Sequence, residues 1–326
     1  MVTFWFCVVV LAWVLFFVLE GFDFGVGLLA PLVGRDDHER GAALRTIGPF
    51  WDGNEVWLVA AIGATFAAFP GWYSALLSGL YLPVAGLLLL LAVRGVALEF
   101  RGKGDGAGWR RRCDLALALS SAGIVLLWGA LLAVFTRGLA LGADGSVRGD
   151  GLSRSLSPLF TPAAGAGAVA ALFAAVLLGA TFLSLRTSGP VRRRARHLAR
   201  RLGAGGAVVL VIAGFATSSP VTLGAAALAL GTGLLARFGR EALAFAAAAA
   251  GVAGAVVAVF TAHGTVVLRS TLDPAWSLTM TGAAATHGAL TLITGAGAVI
   301  LPGVLAYQAY SYVVFRRRVA SERVPS

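Results

Sequence analysis

The chain has 326 residues, 58% of them hydrophobic and only 13% charged, and carries a net charge of +11. A soluble domain of this length has no interior large enough to hide that much apolar surface, so composition excludes an ordinary globular protein and points to a bilayer as solvent. The positive charge does not argue for nucleic-acid binding, because the basic residues lie in short loops between apolar runs.

A helix crosses about 30 Å of hydrocarbon in about 20 residues. The first run of that kind, 3–31, begins apolar at once, lacks a basic leader and carries Glu20 and Asp23. It reads as a retained span, not a cleaved signal peptide. Runs at 50–70, 73–99 and 114–136 follow, and a polar, Gly/Ser-containing loop over 137–162 is too short to be a module of its own. The runs 163–186, 203–219, 221–237, 241–262 and 286–315 bring the expectation to nine spans in a single polytopic domain, residues 1–326. Only Ser218, Ser219 and Pro220 separate the sixth from the seventh, which predicts a tight helical hairpin, since one helix there would overshoot the bilayer. Spans six to eight are rich in Ala and Gly and read as closely packed scaffold. The sequence contains no convincing internal repeat.

Orientation follows from charge. Arginine supplies 25 of the 26 basic residues, Lys103 being the other. With the N-terminus outside, 22 of the 26 fall in inner segments, and only Arg137, Arg148, Arg154 and Arg269 stay outside. The positive-inside rule therefore predicts an outer N-terminus and a cytoplasmic C-terminus. Cys7 and Cys113 then fall near opposite faces, too far apart to bridge.

Carboxylates inside a span are costly and ask for a reason. Glu20 and Asp23 are three residues apart on the first span and share a face; Glu20 lies about 26 Å along the helix from Thr3, in the inner half. Asp52 and Glu55 repeat the spacing at the inner end of the second span. Two readings stay open. The four acids form a proton-conducting file from the cytoplasmic side, or they pair structurally with Arg94 and Arg101 or sit among headgroups. Glu99, near the inner boundary, is expected to be paired or solvated. Gly21 and Gly25 bracket Asp23 in a small-xxx-small pattern that lets another helix approach. Gly25-Val26-Gly27 lacks the third glycine and the strand of a dinucleotide site. Trp51 and Trp57 flank the second acidic pair, Trp51 serving either to shield Glu55, to line a haem or quinone edge, or as an interfacial anchor. Trp72 and Tyr73 are expected in an aromatic belt.

The four histidines, His38, His197, His263 and His287, all fall in loops or at helix ends, and Met280 lies in an outer loop. A protein holding several membrane haems needs axial His or Met side chains inside its bundle. No metal-ligand spacing and no nucleophile–base constellation is visible, so neither a metal site nor a catalytic residue is assigned.

The segments EGFDFGVG at 20–27, GPFWDGNEVWL at 48–58, TFAAFP at 65–70, SGLY at 78–81 and RGVALEFR at 94–101 resemble subunit II of cytochrome bd quinol oxidases, as do STL at 270–272 and WSLT at 276–279. The similarity spans the chain and is dense over 20–101. The resemblance implies nine helices arranged as two four-helix bundles plus one peripheral helix, in a bacterial cytoplasmic membrane. It implies a haem-free subunit that pairs with subunit I, which ligates haem b and haem d and carries the quinol site, and in some members a small third subunit or a structural quinone. The pair would oxidise quinol and reduce oxygen to water with cytoplasmic protons, this chain acting as scaffold and proton route and not catalysing alone. Asp52 is the position matching the proton route, with Glu20, Asp23 and Glu55 beside it; Trp51, Asn54, Trp57 and Arg94 are the candidates for facing the haem subunit. Glu20 stands where some members have Asp, and His287 matches nothing in the family pattern. The alternatives are a proton-coupled secondary transporter, for which broken mid-membrane helices and a repeat are missing, and a purely structural membrane partner.

Overall fold

The computed structural model describes residues 1–217 and 220–322. The turn expected at Ser218 and Ser219, and Arg323 of the inner charge set, lie outside them. The described residues form α1 (Val2–Val33), α2 (Asp37–Arg45), α3 (Trp51–Ala68), α4 (Pro70–Gly79), α5 (Tyr81–Phe100), α6 (Ala107–Arg137), α7 (Gly151–Leu156), α8 (Pro162–Arg186), α9 (Gly189–Thr217), α10 (Pro220–Arg237), α11 (Glu241–Thr261), a small antiparallel hairpin of β1 (Val266–Leu268) and β2 (Leu278–Thr279), α12 (Met280–Ala283) and α13 (His287–Val314). Among the described residues, seven helices are long and apolar enough to cross a membrane, or eight if α3 and α4 count as one bent span.

Three expected elements differ in detail. The third span does not start at residue 73: Pro70 cannot extend α3 and instead opens α4 at a 120° bend, and the chain breaks again at Leu80 before α5. The run expected at 203–219 lies in a longer helix, α9, because the arginine-rich stretch before residue 203 is already helical. Its Val191, Ala195 and Ala199 recur every fourth residue and are all buried, so a helical face was present in what reads by charge as a loop. Trp72 is not a belt residue. It is 2% exposed and packs against Phe6, Phe69 and Phe260.

α1 is the hub of the bundle, packing against α3, α6, α8 and α11. Its small-xxx-small face works as expected: a Cβ on Gly25 would lie 1.9 Å from the Ala175 carbonyl oxygen and 2.8 Å from the Gly179 backbone, so α1 and α8 meet almost backbone to backbone. One core cluster surrounds the first half of α1, where Trp13, Phe16, Trp128 and Phe260 make edge-to-face and stacked contacts 5.2–6.1 Å apart. The other surrounds its second half and centres on Phe22 stacked 4.0 Å from Phe182. Glu20 and Asp23 lie at the junction.

Ion pairs gather at one end of the bundle. Asp114 accepts from Arg101 at 2.6 Å and pairs with Arg40 at 3.0 Å, while Asp37 holds Arg101 and Arg110, both at 2.7 Å. Glu241 lies between Arg192 at 2.8 Å and Arg318 at 2.7 Å. Glu39 of α2 accepts from Arg194 of α9 at 2.6 Å and from the Arg35 backbone N–H at 2.7 Å. At the opposite end Leu139 donates to the Arg269 carbonyl at 3.0 Å, and Ser270 Oγ donates to the Leu141 carbonyl at 2.8 Å. Gly138 makes this junction possible: its φ is +96° and a Cβ there would lie 2.4 Å from Arg269 O. Glu99, as expected, is solvent-exposed and paired, though with Lys103 at 2.7 Å.

Two outcomes follow. Gly25→Leu overpacks the α1–α8 contact and costs at least about 1–3 kcal/mol, whereas Gly63→Ala, with nothing within 4 Å of the added carbon, is tolerated; thermal unfolding in detergent separates them. The Arg194 hydrogen bonds hold the Glu39 carboxyl below its ordinary value of 4.5. A depressed folded value means stability that is complete above the unfolded value and is lost as pH falls through the folded one. Wild-type protein should therefore lose more stability than Glu39→Gln as the pH drops below about 4.5, the two melting curves converging in acid.

Candidate functional site

Four helices bring polar side chains into the layer that interrupts the core. α1 supplies Glu20 and Asp23, both 0% exposed. α3 supplies Asp52, Asn54 and Glu55 from its first turns, α5 supplies Arg94, and α13 supplies Gln308 and Tyr312. Arg94 is the largest fully buried side chain among the described residues. Its Nη1 is 3.3 Å from Glu20 Oε2 and 3.7 Å from Glu55 Oε2, and its guanidinium lies 4.8 Å from the centre of the Phe24 ring. The contacts are ionic and cation–π in character, not aligned hydrogen bonds.

Asn54 ties the other half together. Its Nδ2 donates to Asp23 Oδ2 at 2.7 Å, and its Oδ1 accepts from Gln308 Nε2 at 2.7 Å and from the Tyr312 hydroxyl at 2.9 Å. The Tyr312 ring stacks on Phe50, 4.5 Å between centres and 8° from parallel, which fixes where the hydroxyl points. A carboxylate that can only accept is thus met by an amide that donates to it and accepts from two donors on another helix. Asn54 is the hinge of this layer in hydrogen-bonding terms: aspartate in its place could not donate to Asp23.

The acids form an exposure series. Asp52 is exposed and makes no hydrogen bond or ion pair among the described residues, the Glu55 side chain is 27% exposed, and Glu20 and Asp23 are enclosed. One guanidinium faces three carboxyl groups. Burial penalises unbalanced charge, so the enclosed carboxyl groups depend on this one cation for compensation. Glu55 and Glu20 both approach the same Arg94 Nη1, so the cation joins the half-exposed acid to the enclosed one.

All four expected acids belong to one neighbourhood. Of the four residues considered for facing a haem subunit, only Trp51 retains exposure, with its ring near Gly95 of α5, where a Cβ would lie 3.5 Å from it. Asn54, Trp57 and Arg94 are instead enclosed by this chain's own helices, at 0%, 2% and 0% exposure. The physical reason is that α1, α5 and α13 meet α3 on that side, where Asn54 finds Asp23, Gln308 and Tyr312 and Arg94 finds Glu20 and Glu55. Arg101 does not join the layer; it serves Asp37 and Asp114. Gln308 and Tyr312 are additions that sequence reading missed. The signal was there: two polar groups spaced i, i+4 on one face of the last apolar run. His287 is exposed at the start of α13, and His263 reaches the Thr136 carbonyl at 2.6 Å. Among the described residues no group of His, Cys, Asp and Glu side chains is placed to hold a metal ion.

Residues 1–315 match the family model for cytochrome bd terminal oxidase subunit II. The chain belongs to that family. A Bacillus subtilis (strain 168) relative named cytochrome bd ubiquinol oxidase subunit 2 is 35% identical over 331 aligned positions, covering 97% of this chain and 96% of the relative. The Escherichia coli (strain K12) cytochrome bd-I ubiquinol oxidase subunit 2 is 34% identical over 185 positions, 57% of this chain and 48% of its own length. The bd oxidase of Geobacillus thermodenitrificans has a chain of the same fold, with a TM-score of 0.72, 19% identity and coverage of 96% of this chain and 98% of that one. The subunit II relatives named here are thus parts of an oxidoreductase, and the polar layer described above is carried by a subunit II fold.

Replacing Asn54 by Leu strands Asp23, Gln308 and Tyr312 without their shared partner. The expected loss is about 1–3 kcal/mol for a buried polar group left unmet, read as a lower melting temperature of the purified protein, with Asn54→Asp failing to restore it.

Proposed function

We propose that this chain is the haem-free second subunit of a cytochrome bd-type quinol:oxygen oxidoreductase, inactive alone, which scaffolds the haem-bearing subunit I and delivers protons for oxygen reduction to water. It lies in a bacterial cytoplasmic membrane as a single domain of nine spans, eight in two four-helix bundles and one peripheral, with the N-terminus outside and the C-terminus in the cytoplasm. The apolar part of α9 after residue 203 supplies the ninth span beside the seven single helices and the bent α3–α4 pair. The charge asymmetry of the loops supports that orientation. Haem b and haem d belong to subunit I. A structural quinone in this chain and a small third subunit are compatible with the same assembly.

One observation carries the mechanistic reading: the exposure series from Asp52 through Glu55 to Glu20 and Asp23, with Arg94 joining Glu55 to Glu20. Ionisable groups inside a membrane bundle are expensive and mark ion or proton routes more often than they mark stability. In this reading Asp52 collects protons at the arginine-rich face and Glu55 passes them inward. Arg94 keeps the enclosed acids within electrostatic reach of one another. Asn54, Gln308 and Tyr312 hold Asp23 in place. Trp51 is the member of this group still open toward a companion subunit.

The test is turnover of the assembled oxidase with haem content measured in parallel. Asp52→Asn should slow oxygen reduction several-fold at normal haem content, because water at an exposed mouth partly substitutes for the carboxylate. Glu20→Gln, inside the layer, should cost about 10²-fold, the low end of what a positioned proton-transfer group contributes. Full turnover in both proteins with normal haem spectra would remove the proton route.

A further inference from the structure

At the arginine-rich end, α9 carries its basic residues on one side. Burial of Val191, Ala195 and Ala199 turns Arg193, Arg196, His197 and Arg200 away from the core. Arg237, at the end of α10, faces them, and Arg196 Nη2 donates to the Arg237 carbonyl at 3.4 Å. An open cavity of about 640 Å³ lies between these groups, with Glu322 the single carboxylate in its wall. Arg192 also lines this cavity but is neutralised by Glu241 at 2.8 Å, and Arg194, outside it, by Glu39 at 2.6 Å. Arg193, Arg196, Arg200 and Arg237 form no such pair among the described residues. Four guanidiniums around one cavity repel each other, and an anion with several oxygen acceptors relieves that repulsion through charge-assisted hydrogen bonds.

The cavity has an apolar neighbour. A second cleft of about 400 Å³ shares Arg200 and Arg237 and continues over Ala204, Leu230, Gly233 and Leu234. Here α9 and α10 touch closely, a Cβ on Gly203 lying 2.5 Å from the Gly233 nitrogen, so the seam between them is shallow. Exposed Val208, Ile212, Leu230 and Leu234 continue its apolar surface. A soluble anion would use only the basic half. An amphiphile uses both.

We propose that this cleft binds an anionic glycerophospholipid, its phosphate held among Arg193, Arg196, Arg200 and Arg237 and an acyl chain laid along the α9–α10 seam past Leu234. The site is independent of the proton route: it lies on other helices and requires only that the chain be a membrane protein with a basic end. Lipid headgroup charge is complementary to it, and a zwitterionic headgroup brings its own cation into a cavity already crowded with them.

The copurified oxidase complex in detergent is titrated separately with dioleoyl phosphatidylglycerol, dioleoyl phosphatidylcholine and inorganic phosphate, and bound molecules are counted by native mass spectrometry. Phosphatidylglycerol should bind at least about tenfold tighter than phosphatidylcholine, with phosphate displacing it only weakly. Arg196→Gln and Arg237→Gln should each weaken it about fivefold, and the combined Arg196→Gln, Arg200→Gln, Arg237→Gln protein on the order of a hundredfold if the effects add. Arg111→Gln with Arg112→Gln, a basic pair outside the cleft, should bind as wild type. Equal binding of the two lipids, displacement by phosphate as effective as by lipid, or undiminished binding in the single variants would each overturn the proposal. Should the triple variant fail to assemble, the single variants and the wild-type lipid comparison decide it.

Discussion

A guanidinium with no access to water has to be met by charge or it will not be tolerated inside a helical bundle, and Arg94 is such a group. Its position between Glu20 and Glu55, above the face of Phe24, ties α5 to α1 and α3 at the depth where the two apolar clusters meet. Breaking one partner of such a set leaves the others buried without compensation, so the interaction constrains the register of three helices together. Asn54 extends the constraint to α13 through Gln308 and Tyr312. That link matters because α13 otherwise buries little of its own surface: Leu290 is its only buried residue.

The rest of the bundle is arranged around holding α1 still at this layer. Gly25 against Gly179 brings α8 to backbone contact on one side, and Phe22 stacked on Phe182 fills the adjoining space. At the arginine-rich end, Glu39, Glu241, Asp37 and Asp114 take up arginines from helices distant in sequence, which clamps α2, α6, α9 and α11 to the same end. Four arginines that take no part in that neutralisation, Arg193, Arg196, Arg200 and Arg237, line the open cleft of α9 and α10. Stability and the proposed lipid chemistry thus draw on one pool of charge at the same end of the bundle.

Much of the fold was legible from hydropathy and charge because these are sums over whole segments and survive local error. The expected runs at 163–186 and 241–262 reappear as Pro162–Arg186 and Glu241–Thr261. The break at Leu80 was not legible, since apolar residues continue through it and only the bend at Pro70 rotates the chain out of line. The helical start of α9 was misread because charge was weighed before periodicity. Trp72 looked interfacial by position and became core because Phe6, Phe69 and Phe260 surround it.

Sequence alone determined that the chain belongs in a bilayer, which end of its helices carries the arginines, and that acids at 20, 23, 52 and 55 share a depth. These follow from composition and from the fixed rise and period of a helix. Only tertiary structure decided which of the acids is enclosed and which meets solvent, that Arg94 serves Glu20 and Glu55 while Arg101 serves Asp37 and Asp114, and that Asn54 is shared with a helix more than 250 residues away. Those choices depend on how helices rotate against one another, and that rotation is set by close contacts such as Gly25 on Gly179, which no single segment can specify by itself.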